Sequence, residues 1–94
     1  MDKVSIQNYG NYSSGNYGAH TLQVSIGRLD FYFSYQTVVA FRNGSGLRVS
    51  ENDWGSTTGK HLNWIDGGQK KTRLPRAQFQ AELDTLLKAH SLVL

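Results

Sequence analysis

The sequence predicts an α+β domain: an antiparallel meander of about four strands, followed by one short and one longer C-terminal helix packed on one face. Three observations carry this reading. Residues alternate between two faces over 22–26 and again over 29–35, either side of Gly27-Arg28, which is a strand period. The string Asn43-Gly44-Ser45-Gly46 is a turn signal between two further apolar runs. Beyond residue 75, apolar residues recur at helical spacing, giving a stripe fit to lie on a sheet.

The elements follow in order. Residues 8–18 read Asn-Tyr-Gly-Asn-Tyr-Ser-Ser-Gly-Asn-Tyr-Gly, a local low-complexity stretch. Gly and Asn tolerate positive φ, so residues 1–19 are expected to form a looping, Tyr/Gly/Asn-rich arm ahead of a single domain over 20–94. Leu22, Val24 and Ile26 alternate with Gln23 and Ser25, as a half-buried strand does. Gly27-Arg28 offers a turn. Leu29, Phe31, Phe33 and Tyr35 then form one face, with Asp30, Tyr32 and Ser34 opposite, completing a hairpin. The β-branched run Val38-Val39-Ala40-Phe41 is a third strand. Leu47 and Val49 against Arg48 and Ser50 make a fourth.

The second half changes period. Ser56 or Thr57 is expected to cap a short helix reaching about Ile65, with Leu62 and Ile65 on its inner side. Gly59 works against that helix, and Asp66-Gly67-Gly68 ends it. Lys70 to Arg73 reads as a short edge strand. Pro75 suits the first turn of the longer helix, where its missing N–H costs nothing. Phe79, Leu83, Leu86, Leu87 and His90 form the stripe of that helix. Residues 91–94 either extend it or pack back.

Composition narrows the function classes. Ninety-four residues suffice for one domain and one core. Only 38 % of residues are hydrophobic, but 12 % are aromatic, and these supply large core pieces. The absence of cysteine excludes disulfides, thiolate chemistry and Cys-type zinc sites. No apolar run approaches a membrane span and the N-terminus has no apolar signal region, so a cytoplasmic location is expected. A net charge of +3 permits nucleic-acid or acidic partners without requiring either.

No catalytic, cofactor or metal set emerges. Gly55-Ser-Thr-Thr-Gly59-Lys60-His61 falls short of a phosphate loop: one residue is missing between the glycines, and His61 stands where Ser or Thr should hold magnesium. Backbone N–H groups near Ser56–Gly59 with Lys60 are the part of it that could hold an anion. His20, His61 and His90 lie far apart with no ligand spacing. Glu51-Asn52-Asp53 lacks the remainder of a calcium loop, and Asp53 is expected to cap the next turn. A small hydrolase or nuclease would have to draw on Glu51, Asp53, Lys60 and His61.

Two segments suit binding. Lys60, Lys70, Lys71, Arg73 and Arg76 cluster around Trp64, opposed only by Asp66, a composition fit for nucleic-acid backbone and base stacking or for a solvated loop. Tyr9, Tyr12 and Tyr17 in the arm have the composition of adaptable binding surfaces, in which tyrosine buries area at low entropic cost, and could equally cap the sheet's edge. Trp54 and Trp64 are core-rim residues or contact anchors.

The string Asp30-Phe-Tyr-Phe-Ser-Tyr-Gln-Thr-Val-Val-Ala-Phe-Arg42, followed by Val49-Ser-Glu-Asn-Asp-Trp-Gly-Ser-Thr-Thr-Gly-Lys-His-Leu-Asn-Trp-Ile-Asp66, resembles a family of small uncharacterised phage and mobile-element proteins. Gly15-Asn-Tyr-Gly-Ala-His20 is similar to it too, and the likeness covers roughly residues 15–90. The resemblance implies an accessory protein that acts by binding and transfers no catalytic residue. Inhibitors of host or defence proteins, anti-CRISPR proteins included, have this size. The expected function is therefore non-enzymatic inhibition of a host or defence-system protein. Nucleic-acid binding by the 60–76 segment is the alternative, and the hydrolase or nuclease a second. A basic chain does not mimic DNA. Exposed meander edges leave dimer formation open.

Overall fold

The computed structural model describes residues 3–10 and 20–93. Five strands form one antiparallel sheet in chain order: β1 (Val4–Gln7), β2 (Thr21–Ile26), β3 (Leu29–Ser34), β4 (Thr37–Asn43) and β5 (Gly46–Val49). Two helices follow, α1 (Ser56–Asp66) and α2 (Arg76–Ala89), with a single 3-10 turn at Lys70–Thr72 between them. The expected meander and its two helices are present. The sheet gains a strand, β1, from within the stretch read as an arm.

The helices do not share a face. Leu29, Phe31, Val38 and Phe41 pack with Phe79 and Leu83 of α2. Tyr32, Val39, Ala40 and Val49 pack with Leu62 of α1 and with Tyr9 on the opposite face. The cause lies in β4. Tyr32 pairs with Ala40 but Phe33 pairs with Val38, so Val39 is an extra residue in a bulge. Strict alternation would send Val38 and Phe41 to opposite faces. The bulge brings both to the α2 face and leaves Val39 and Ala40 for α1. A sheet apolar on both sides at its centre needs a cover on each.

Helix α1 begins without the expected hydroxyl cap. Its N-cap is Gly55, whose carbonyl accepts from Gly59 N–H at 2.9 Å, and no side chain caps it. Asn52, not Asp53, orders the approach: its Oδ1 accepts from Trp54 N–H at 3.0 Å and its Nδ2 donates to Gly55 O at 3.0 Å. Gly59 has a steric reason to be glycine, since a Cβ there would lie 3.0 Å from Asn52 Nδ2. Gly59→Ala should therefore realise little of the ~1 kcal/mol that Ala normally gains over Gly in a helix. In an Asn52→Ala background the gain should appear in full. Thermal melts of the four proteins in this cycle check the coupling; equal gains in both backgrounds would show that Asn52 imposes no constraint.

Gly67, left-handed at φ 67°, ends α1 as expected. The next segment is not an edge strand. Lys70–Thr72 curls into the 3-10 turn, and only Leu74 bridges to Ser50, in parallel sense. Arg73 dictates this path (below). Along α2, Phe79 and Leu83 are buried and Leu86 and Leu87 are half-buried, as the stripe predicts. His90 is exposed at the C-cap instead of on the stripe. The chain turns back through Ser91 at φ 55°, and Leu92 N–H reaches Leu87 O at 2.8 Å, seating Leu92 against the core.

Candidate partner-binding surface

The core beneath α1 is polar at one point and aromatic around it. Ser34 follows Tyr32 on the same face of β3, while Thr58 and His61 lie one turn apart on the inner side of α1. Ser34 Oγ lies 2.8 Å from Thr58 Oγ1 and 2.7 Å from His61 Nδ1, and all three side chains are buried. Buried polar groups are kept because they satisfy one another. Ser34 and His61 thus tie the helix to the sheet. Glu51 and Asp53 are exposed, and His61 is fully buried, so the residues named for hydrolysis do not share one accessible pocket. Among the described residues, no group of three or more His, Asp or Glu is placed to hold a metal ion.

Tyr9 belongs to this core and not to an exposed arm. It is 3 % exposed, its hydroxyl donates to Phe33 O at 2.8 Å, and its backbone exchanges hydrogen bonds with Thr21 Oγ1. Its ring meets Tyr32 edge-on at 5.5 Å and His61 at 6.1 Å. Tyr12 and Tyr17 lie outside the described residues.

Three large aromatic rings stay exposed around this buried set: Tyr35 at 50 %, Trp54 at 41 % and Trp64 at 48 %. Each is held in place. Trp64 of α1 rests on Tyr9 at 5.4 Å. Trp54 lies under the Arg76 guanidinium, 5.0 Å from the ring centre, a cation–π contact. Tyr35 opens the two-residue hairpin between β3 and β4 at φ 57°, a conformation that costs a non-glycine residue about 1–2 kcal/mol. Stacking on His20 at 4.3 Å and a 2.8 Å hydrogen bond from its N–H to His20 O offset that strain. Tyr35 and Trp54 line one open depression with Thr37 and the first residues of α1. The sequence gives no exposure signal for Tyr35, because alternation assigns it to the face of Leu29, Phe31 and Phe33. Only the hairpin turn takes it off that face.

The basic segment divides. Arg73 is buried: its Nε donates to Asp66 Oδ2 at 2.7 Å, and its Nη2 donates to Asp66 Oδ1 and Asn63 Oδ1, each at 3.0 Å. Burial alone would push Asp66 up. The Arg73 guanidinium and the N–H groups of Gly68 and Gln69 outweigh it and hold the carboxyl below its ordinary value. Arg76 donates to Val38 O at 3.2 Å and Gln80 Oε1 at 2.9 Å, half-buried between Trp54 and Phe79. These two arginines build the fold. Lys60, Lys70 and Lys71 are exposed.

A family model matches residues 3–81, from the residue before β1 into α2. This chain belongs to that family. It is described as a family of unknown function, DUF8033, and so assigns no residue a role. The match takes in β1, Tyr9, the α1 face and the Asp66–Arg73 pair, so the surface described here lies within the family's shared extent. No curated protein and no solved structure matches the chain with significance. Among the described residues, no helix is long and apolar enough to cross a membrane.

Proposed function

We propose that this DUF8033 chain is a non-enzymatic binding protein that engages another protein through Tyr35, Trp54 and Trp64. The observation that carries the reading is three exposed aromatic rings, each resting on a neighbouring ring or guanidinium: Trp64 on Tyr9, Tyr35 on His20 and Trp54 on Arg76. Rigid aromatic anchors lose little entropy on docking and are where interface energy concentrates. Lys60, one helical turn before Trp64, would add a charged rim to that patch. The likeness to phage and mobile-element proteins favours a host or defence-system protein as partner, blocked by contact. Nucleic-acid binding is the weaker reading, because Arg73 and Arg76 are committed to Asp66, Val38 O and Gln80 and leave three exposed lysines in the segment.

Immobilised protein incubated with lysate of a bacterial host should retain one stoichiometric partner that survives nuclease. Tyr35→Ala and Trp64→Ala should each weaken that complex, by about 30-fold where the residue is a hot spot worth ~2 kcal/mol. Lys70→Ala with Lys71→Ala should change it much less. Retention of nucleic acid, lost at raised salt and in the lysine variant but unaffected by the aromatic ones, would overturn the proposal.

A further inference from the structure

The two edges of the sheet differ. At β5, Leu74 N–H already donates to Val49 O at 2.8 Å, and Glu51 N–H donates to Leu74 O at 2.8 Å. Arg48 of β5 is also paired with Glu82 of α2 at 3.1 Å. At β1, no described strand pairs with the outer side. Gly27 N–H donates to Lys3 O at 3.1 Å, and Val4 pairs with Ile26, Ser5 with Ser25 and Ile6 with Val24. In an antiparallel ladder, hydrogen-bonded pairs alternate with non-bonded ones. Lys3, Ser5 and Gln7 therefore bond inward to β2, and Val4 and Ile6 turn their N–H and C=O groups outward.

The same two residues expose apolar side chains, Val4 at 56 % and Ile6 at 63 %. Their register with Ile26 and Val24 places them on the α2 face, beside the half-buried Leu22, Val24 and Ile26. Open edges are normally guarded by charge, proline or a bulge. Val4-Ser5-Ile6-Gln7 has none of these.

We infer that β1 is the interface of a symmetric dimer, paired antiparallel with β1 of a second copy about Ser5. In this register Val4 of one copy faces Ile6 of the other, and all outward N–H and C=O groups of Val4 and Ile6 are satisfied in four hydrogen bonds. Val4 and Ile6 of both copies meet on one face, Ser5 meets Ser5, and Lys3 faces Gln7, so no like charges come opposite each other. A two-fold axis consumes both open edges. Because β5 is already engaged at Val49–Glu51, pairing stops at two copies and does not run on into a fibre. A foreign strand would satisfy the same hydrogen bonds, but the edge's self-complementary register and neutral sequence favour a second copy. The interface is small, below the ~1,000 Å² of stable complexes, so the dimer is a weak one.

The absence of cysteine allows a register-specific test. Ser5 would face its counterpart in a non-hydrogen-bonded pair, where Cβ atoms come within about 4.5–5.5 Å, near disulfide reach. Under mild oxidation Ser5→Cys should form a covalent dimer at least tenfold faster than Gln7→Cys, whose counterpart would be Lys3. Sedimentation velocity of the unmodified protein should show dimer growing in as concentration rises to about 1 mM, and Ile6→Lys should weaken that association about tenfold or more. A monomer throughout this range, or equal cross-linking at positions 5 and 7, would overturn the inference. Equal cross-linking would mean unspecific collision, and a strict monomer would leave the edge to strand addition by another protein.

Discussion

Asp66→Asn should cost this domain about 3 kcal/mol of stability, because it removes one charge of a buried pair and leaves the other behind. The Asp66 and Arg73 side chains are only 6 % and 4 % exposed, and both guanidinium contacts with the carboxylate are short. Total stability of a domain this size is of order 5–10 kcal/mol, so the loss should be plain in a urea titration. Arg73→Lys should lose much of the same amount, since an ammonium cannot make the two-pronged contact. Joint replacement by Asp66→Leu and Arg73→Met should recover much of it, because a packed apolar pair has no desolvation cost. The pH dependence has a definite sign. Asp66 is held below its ordinary value of 3.8 in the fold, so its contribution is fully present above about that pH. It is lost as pH falls through the depressed value. The gap between the wild type and Asp66→Asn should stay constant from neutrality to about pH 4 and close below it. A wild type and variant of equal urea midpoint at pH 7 would refute this account.

That pair also shows where sequence reading ran out. Hairpin alternation from Leu22 to Phe33, the Asn43–Gly46 turn, the Gly67 stop and the α2 stripe through Phe79 and Leu83 are local patterns, and local patterns survive into the fold. Arg73 reads as a surface cation because nothing local marks its burial. Its partner lies seven residues back, across a helix end and a 3-10 turn, and only tertiary structure brings the two together. Strand β1 escaped because four residues give too short a period to stand out beside a Tyr/Gly/Asn stretch. Tyr9, inside that stretch, reads equally as an adaptable surface tyrosine or a cap on the sheet, and its backbone bonds to Thr21 and its packing in the α1-face core decide for the sheet. The single-face packing failed for a related reason. Val38 to Phe41 is apolar without alternation, and such a run does not reveal a bulge or which residue belongs to which side. Of the residues proposed for binding, Trp54, Trp64, Lys60, Lys70 and Lys71 are exposed, whereas the exposure of Tyr35 follows only from its hairpin geometry.

Placement of the two helices on opposite faces leads to the second large effect. Phe79 is fully buried, with its ring 5.5 Å from Phe41 and the Arg76 guanidinium 5.3 Å from its own centre. Phe79→Ala should destabilise by about 3–5 kcal/mol through lost transfer energy and the cavity left behind. Leu62→Ala, on the α1 face, should cost about 2–5 kcal/mol by the same mechanism. The sheet separates the two sites, so their costs should add to within about 0.5 kcal/mol, and the double variant should be largely unfolded at room temperature. Strong coupling would mean that the two clusters behave as one core. The exposed tryptophans offer local readouts: Trp54 is held by Arg76 at the start of α2, whereas Trp64 rides on α1 against Tyr9. With Trp64→Phe or Trp54→Phe isolating one emitter at a time, both probes should report a single urea midpoint in the otherwise unaltered protein, because each helix covers one face of the same β3–β4 pair. Separate midpoints would show that one face can open while the other holds.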